Sequence, residues 1–126
     1  DAVLLIVAAL SPDELATFFE LARSLGMDSL VEVHDESELD TAVQVGADLI
    51  GINQRDLFTF EVDHERAVRM AKLIPEGVVG VAESGVRGPE DAMVLSEAGY
   101  SAILVGETLV VSDDPGMAVA ALRGAG

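Results

Sequence analysis

The chain has 126 residues, half of them hydrophobic and 12 of them glycine, so it amounts to one domain's worth of foldable sequence and is not compositionally disordered. A formal charge of −16, with Lys72 the only lysine among seven basic residues, discounts nucleic acid and anionic membrane as partners. It suits a soluble, even salt-tolerant surface. The absence of cysteine removes a disulfide framework and a thiolate metal site and suits the cytoplasm, and no apolar run approaches the roughly 20 residues of a membrane span.

Asp1–Leu10 (DAVLLIVAAL) is a continuous apolar run of the kind covered on both faces of a sheet. It lacks a basic leader and a small-residue cleavage site, and it begins without methionine, as a piece of something longer would. Ser11-Pro12-Asp13-Glu14 predicts a capping box opening a helix that runs to about Gly26. Ser29–Val33 is the second predicted strand, and Asp35-Glu36-Ser37-Glu38 opens a second helix that stops at Gly46. Ala47–Ile52 is the third strand, followed by a long irregular connection from Asn53 to about Val62. Asp63 is read as the cap of a third helix ending near Pro75. Val78–Ala82, Pro89–Gly99, Ser101–Gly106 and a last helix from Asp114-Pro115 to the C-terminus complete the pattern.

Strand and helix alternate five times, which predicts an α/β fold of five parallel βα units within a single domain over residues 1–126. Two architectures fit: a partial TIM (βα)8 barrel, or a rearranged flavodoxin-like open sheet. No phosphate-binding GxGxxG or GxxxxGK[ST] follows any strand, which lowers the open sheet. The polar residues fall at the ends of several strands instead, as in barrel enzymes. A closed barrel needs about 200 to 250 residues, so five units leave it incomplete.

Glu32 interrupts Leu30-Val31-Glu32-Val33 where an apolar residue is expected, and Glu83 makes the same exception in the fourth strand. A buried carboxylate must be paired or its pKa rises, and a raised pKa is what a general acid or base near neutrality needs. Asn53 is either a substrate-orienting amide or a turn residue, and Arg55 either holds an anion or pairs with Asp56. Ser84-Gly85 and Gly106-Glu107 are candidate phosphate turns, with Glu107 an awkward neighbour unless its side chain points away. His34 and His64 read as ordinary turn residues, and no residue set has metal-ligand spacing.

Leu4-Leu5-Ile6-Val7, Leu30-Val31-Glu32-Val33-His34, Ile50-Gly51-Ile52-Asn53-Gln54-Arg55-Asp56-Leu57, Ala82-Glu83-Ser84-Gly85-Val86 and Leu104-Val105-Gly106-Glu107 occur in order. Together they closely resemble the C-terminal part of indole-3-glycerol-phosphate synthase, a (βα)8-barrel lyase of tryptophan biosynthesis. The resemblance implies βα units four to eight of that barrel. It also implies closure of 1-(2-carboxyphenylamino)-1-deoxyribulose 5-phosphate to indole-3-glycerol phosphate, with loss of carbon dioxide and water and no cofactor or metal. By position it makes Glu32 the general base, Glu83 the contact to substrate hydroxyls and Asn53 the orienting amide, with Arg55 nearby. Ser84, Gly85, Gly106 and Glu107 match the phosphate turns, Glu107 through its backbone alone. Leu4, Ile6 and Leu104 match the aromatic pocket.

The family's lysine acid and its partners on earlier strands have no counterpart here, and Lys72 falls in a helix. Losing a general acid costs roughly 10² to 10⁴ in rate, so the resemblance implies an isolated chain with little or no turnover. A non-catalytic half-barrel module, pairing through its open edges with another copy or with the missing half-barrel, is the alternative. A phosphoribosylanthranilate isomerase reading fits less well, since that family uses a different acid–base pair from Glu32, Asn53 and Glu83.

Overall fold

The computed structural model describes residues 1–124. Five strands, β1 (Ala2–Ile6), β2 (Asp28–Val33), β3 (Leu49–Asn53), β4 (Val79–Glu83) and β5 (Ala102–Leu104), form one parallel sheet in chain order. Six helices alternate with them: α1 (Pro12–Ser24), α2 (Glu36–Gln44), α3 (Arg66–Met70), α4 (Pro89–Ala98), α5 (Glu107–Val110) and α6 (Pro115–Arg123). Each strand pairs with the next one along the chain, which is the arrangement of a barrel arc. A doubly wound sheet would reverse its order at a switch point. The flavodoxin-like rearrangement is therefore not adopted.

The two faces of the sheet differ in kind. Leu5, Val31, Val33, Ile50, Ile52 and Ala82 point outward and pack with Leu15 and Phe19 of α1, Leu39 of α2, Met70 of α3 and Leu95 of α4 into one core. Alternation sends Leu4, Ile6, Glu32, Asn53, Glu83 and Leu104 to the opposite, inner face. The strands read as continuous apolar runs because most inner-face residues between the core positions, such as Leu4, Ile6, Leu30, Val79, Val81 and Leu104, are apolar as well.

Local signals set the helix starts. Ser11 Oγ accepts from the Glu14 N–H at 3.2 Å while Glu14 Oε2 accepts from the Ser11 N–H at 2.8 Å, a complete capping box before Pro12. Asp35 and Asp114 cap α2 and α6 through the N–H groups of Glu38 and Met117. α4 ends where Gly99 takes a left-handed φ of 110°.

Several expected boundaries move. The first strand ends at Ile6, where its pairing with β2 ends, and Val7–Ala9 turns in a 3-10 helix toward Ser11. The third and fourth strands each run one residue further than predicted. Asn53 and Glu83 are register partners across them and extend the ladder. The fifth strand shrinks to Ala102–Leu104, the three positions at which it pairs with β4. Asp63 does not cap the third helix; its carboxylate accepts from the Glu65 N–H at 3.1 Å and binds Arg69, and the helix starts at Arg66 and tightens into a 3-10 turn at Ala71–Leu73. Residues 125–126, at the end of the predicted last helix, lie outside the described residues. Among those described, no helix is long and apolar enough to cross a membrane.

Candidate active site

β2, β3 and β4 deliver Glu32, Asn53 and Glu83 to the C-terminal end of the inner face, where they are 4%, 7% and 2% exposed. Asn53 Nδ2 donates to Glu32 Oε1 at 2.8 Å, and Asn53 Oδ1 accepts from the Arg55 N–H at 2.9 Å, so the amide is held from both ends. Gly51 is the register partner of Glu32 on β3. A Cβ there would run into the Glu83 carboxyl, whose Cδ would lie 2.7 Å away. Glycine thus opens the space through which Glu83 leans toward Glu32. Burial, and then the adjacent Glu32 carboxylate, push the Glu83 pKa up to about 8. At neutral pH Glu83 keeps its proton.

Two further residues belong to this cluster and were not singled out from the sequence. His34 is not an ordinary turn residue: its ring is buried between Glu32 and Glu38, with Nε2 3.4 Å from Glu32 Oε1 and Nδ1 3.1 Å from Glu38 Oε2. The His-x-x-x-Glu spacing across a helix start was the signal available for that pair. Gln54 is buried beside Asn53; its Nε2 donates to the Ser84 carbonyl at 2.9 Å and its backbone N–H to the Glu83 carbonyl at 2.9 Å. Gln54 therefore fixes the strand end that carries Glu83. Among the described residues, no three His, Asp or Glu side chains converge in a way that could hold a metal ion.

Ser84 and Gly85 follow β4 with φ of 64° and 70°. A left-handed serine costs about 1–2 kcal/mol, and such strain clusters at functional sites. Gly85 is doubly required, since a Cβ would also meet Val62 and the His64 ring. Ser84, Gly85, Gly106 and Glu107 line one cavity of about 1000 Å³, together with Arg55 and Leu104. Glu32, Asn53 and Glu83 do not line it, although Glu83 directly precedes Ser84 in the chain.

Arg55 pairs with Glu107, at 2.7 Å, and not with Asp56, whose carboxylate accepts the Phe58 and Thr59 N–H groups. The Glu107 side chain is thus tied to the loop after β3, and the pair lines the cavity beside the start of α5. Leu4 and Leu104, 46% and 51% exposed, and the half-buried Ile6 flank the cluster, with Ile6 in register with Glu32 and Leu104 with Glu83. Lys72 lies in the exposed 3-10 turn at Ala71–Leu73, remote from the inner face.

The sequence model of a family described as indole-3-glycerol phosphate synthase matches residues 1–122. The chain belongs to that family. It is 52% identical over 126 residues to the indole-3-glycerol phosphate synthase of Parafrankia sp., covering all of this chain and 47% of the relative. It is 53% identical over 113 residues to that of Chloroherpeton thalassium, covering 90% of this chain and 44% of the relative. The chain thus spans about half the length of the curated relatives it matches. The same fold occurs in the crystal structure of 3-hexulose-6-phosphate synthase from Salmonella typhimurium, with a TM-score of 0.81 over 99% of this chain and 61% of that one at 13% identity.

Proposed function

We propose that the chain supplies the β2-to-β5 side of an active site that closes 1-(2-carboxyphenylamino)-1-deoxyribulose 5-phosphate to indole-3-glycerol phosphate. Glu32 acts as general base in the dehydration steps, Asn53 orients the substrate, and Glu83 contacts its hydroxyls as a protonated donor. The backbone N–H groups around Ser84, Gly85, Gly106 and Glu107 receive the phosphate. Leu4, Ile6 and Leu104 offer apolar contact to the aromatic ring, and Arg55 holds a substrate anion after releasing Glu107.

The observation that carries this reading is the buried Glu32–Asn53–Glu83 set, joined by the Asn53–Glu32 hydrogen bond and the Asn53–Glu83 register and followed at once by the left-handed Ser84-Gly85 turn. It pairs a proton-holding carboxyl with a second carboxyl of different environment, which is how one site separates acid from base. A cytoplasmic biosynthetic setting accords with this. The general acid of the ring closure would come from the portion of the relatives that this chain does not cover. The open edges at β1 and β5, with Leu4 and Leu104 exposed beside them, favour association with that portion or with a second copy.

A chimaera tests the proposal: these 126 residues placed after the uncovered portion of the Parafrankia relative, assayed for indole-3-glycerol phosphate. The expected outcome is turnover by the chimaera, none by the 126 residues alone, and a loss of roughly 10² to 10⁴ in kcat for Glu32→Gln. A folded chimaera without turnover, or full activity in the Glu32 variant, overturns it.

A further inference from the structure

The roles proposed above leave His34 unused, although its ring is only 12% exposed and faces two carboxylates. The His34 backbone N–H donates to Glu38 Oε2 at 2.7 Å, and ring Nδ1 lies 3.1 Å from the same oxygen. Glu38 is itself fixed, because its N–H donates to Asp35 Oδ1 at 2.8 Å at the start of α2. A carboxylate only accepts, so the neutral ring carries its proton on Nδ1, directed at Glu38. Nε2 is then a bare lone pair, shielded from solvent and without a hydrogen-bond partner. It lies 3.4 Å from Glu32 Oε1, which already accepts from Asn53. A buried lone pair facing a carboxyl oxygen is a costly arrangement unless a proton lies between them.

We propose that His34 is a positioning residue for Glu32, and that Glu38, His34 and Glu32 form a relay sharing one mobile proton. This rests on the reading of Glu32 as the acid–base group. In the forward step the Glu32 O–H bond breaks and an Nε2–H bond forms. The carboxyl becomes carboxylate, the imidazole becomes imidazolium, and Glu38 compensates the new charge through Nδ1–H. The reverse step returns both groups, so nothing is consumed. A proton that Glu32 takes from a substrate is thereby handed to His34 and kept near the site, and Glu32 is ready for the next abstraction.

The groups facing the ring agree with this use. α2 brings Glu38, with Asp35 before it, to the ring, while β4 and β3 bring Glu83 and the neutral Asn53 amide to its partner Glu32. The Val7–Ala9 turn, which packs on both β2 and α2, brings no titratable group. α3 sends one cation to the edge of the cluster, where Arg66 Nη1 donates to the Asn53 carbonyl at 3.0 Å, but the ring nitrogens of His34 themselves face only the Glu32 and Glu38 carboxyl groups.

Nitrogen NMR of the imidazoles in the 126-residue chain, taken from pH 5 to 9, tests the relay. His64→Gln removes the signals of the other histidine and leaves the cluster untouched. The expected result is a neutral His34 with its proton on Nδ1, and Nε2 and the Glu32 carboxyl carbon moving through one common transition. A proton on Nε2 in the neutral ring, or two independent transitions, overturns the proposal. Glu38→Gln keeps the shape but can donate as well as accept, so the Nδ1–H share should fall; an unchanged ratio also counts against the relay. If the relay appears and the chimaera is silent, the reaction assignment fails and the proton pair stands. If the chimaera turns over and the tautomer is wrong, only the relay falls.

Discussion

Glu83 shows what one residue's surroundings do to the whole chain's response to pH. Its folded-state pKa of about 8 lies above the ordinary 4.5, so the folded chain holds a proton that the unfolded chain releases. The stabilising contribution is complete below about pH 4.5 and is lost as pH rises through about 8. Urea unfolding at pH 5, 7 and 8.5 should therefore show stability declining across that range, by at most about 1.4 kcal/mol per pH unit from this group. Glu83→Gln, which stays neutral, should flatten the decline and exceed the parent in stability at pH 8.5; an unaltered slope would contradict the assignment. Gly51→Ala tests the space beside it. The new Cβ pushes the Glu83 carboxyl aside, at an expected cost of about 1–3 kcal/mol in urea unfolding. Glu32 and Glu83 stand out because a carboxylate breaks an apolar strand there, whereas the pattern places Asn53 just past its strand. His34 and Gln54 do not stand out, because a polar residue just past a strand looks like any turn until its partners on other elements are known.

At the scale of elements, the helix starts were written locally and the strand ends were not. Ser11 and Glu14, only three residues apart, satisfy each other's N–H groups, so the box can be read without any tertiary knowledge. Ser11→Ala should cost about 1 kcal/mol, measured as a lower urea midpoint with an unchanged slope. Asp63 carries the same residue type in front of a helix, yet Arg69 claims its carboxylate from six residues away and the helix starts later. The ends of β3 and β4 depend on a partner 30 positions off, Asn53 against Glu83, which no local pattern contains. The short α5 after β5 was likewise hidden, because Gly106-Glu107 reads as a plain turn until the cavity beside it is seen.

For the whole molecule, the alternation of strand and helix predicted parallel βα units, and the polar residues at several strand ends favoured the barrel arc over the doubly wound sheet, which the in-order sheet bears out. The inner face keeps Leu4 and Leu104 about half exposed beside two unpaired sheet edges. Light-scattering mass of the 126-residue chain, with and without the uncovered portion of a relative, measures what those edges take up. A monomer alone that forms a one-to-one complex with that portion is the expected outcome; a self-associated chain that ignores it would favour assembly between copies. The in-order sheet also bears on how the chain acquires its structure. Every strand pairing closes a loop of only roughly 20 to 30 residues, so no strand waits on the far end of the chain to find its partner. The fold can grow by accretion, one unit laid on the last, and each added unit needs only its neighbour already in place.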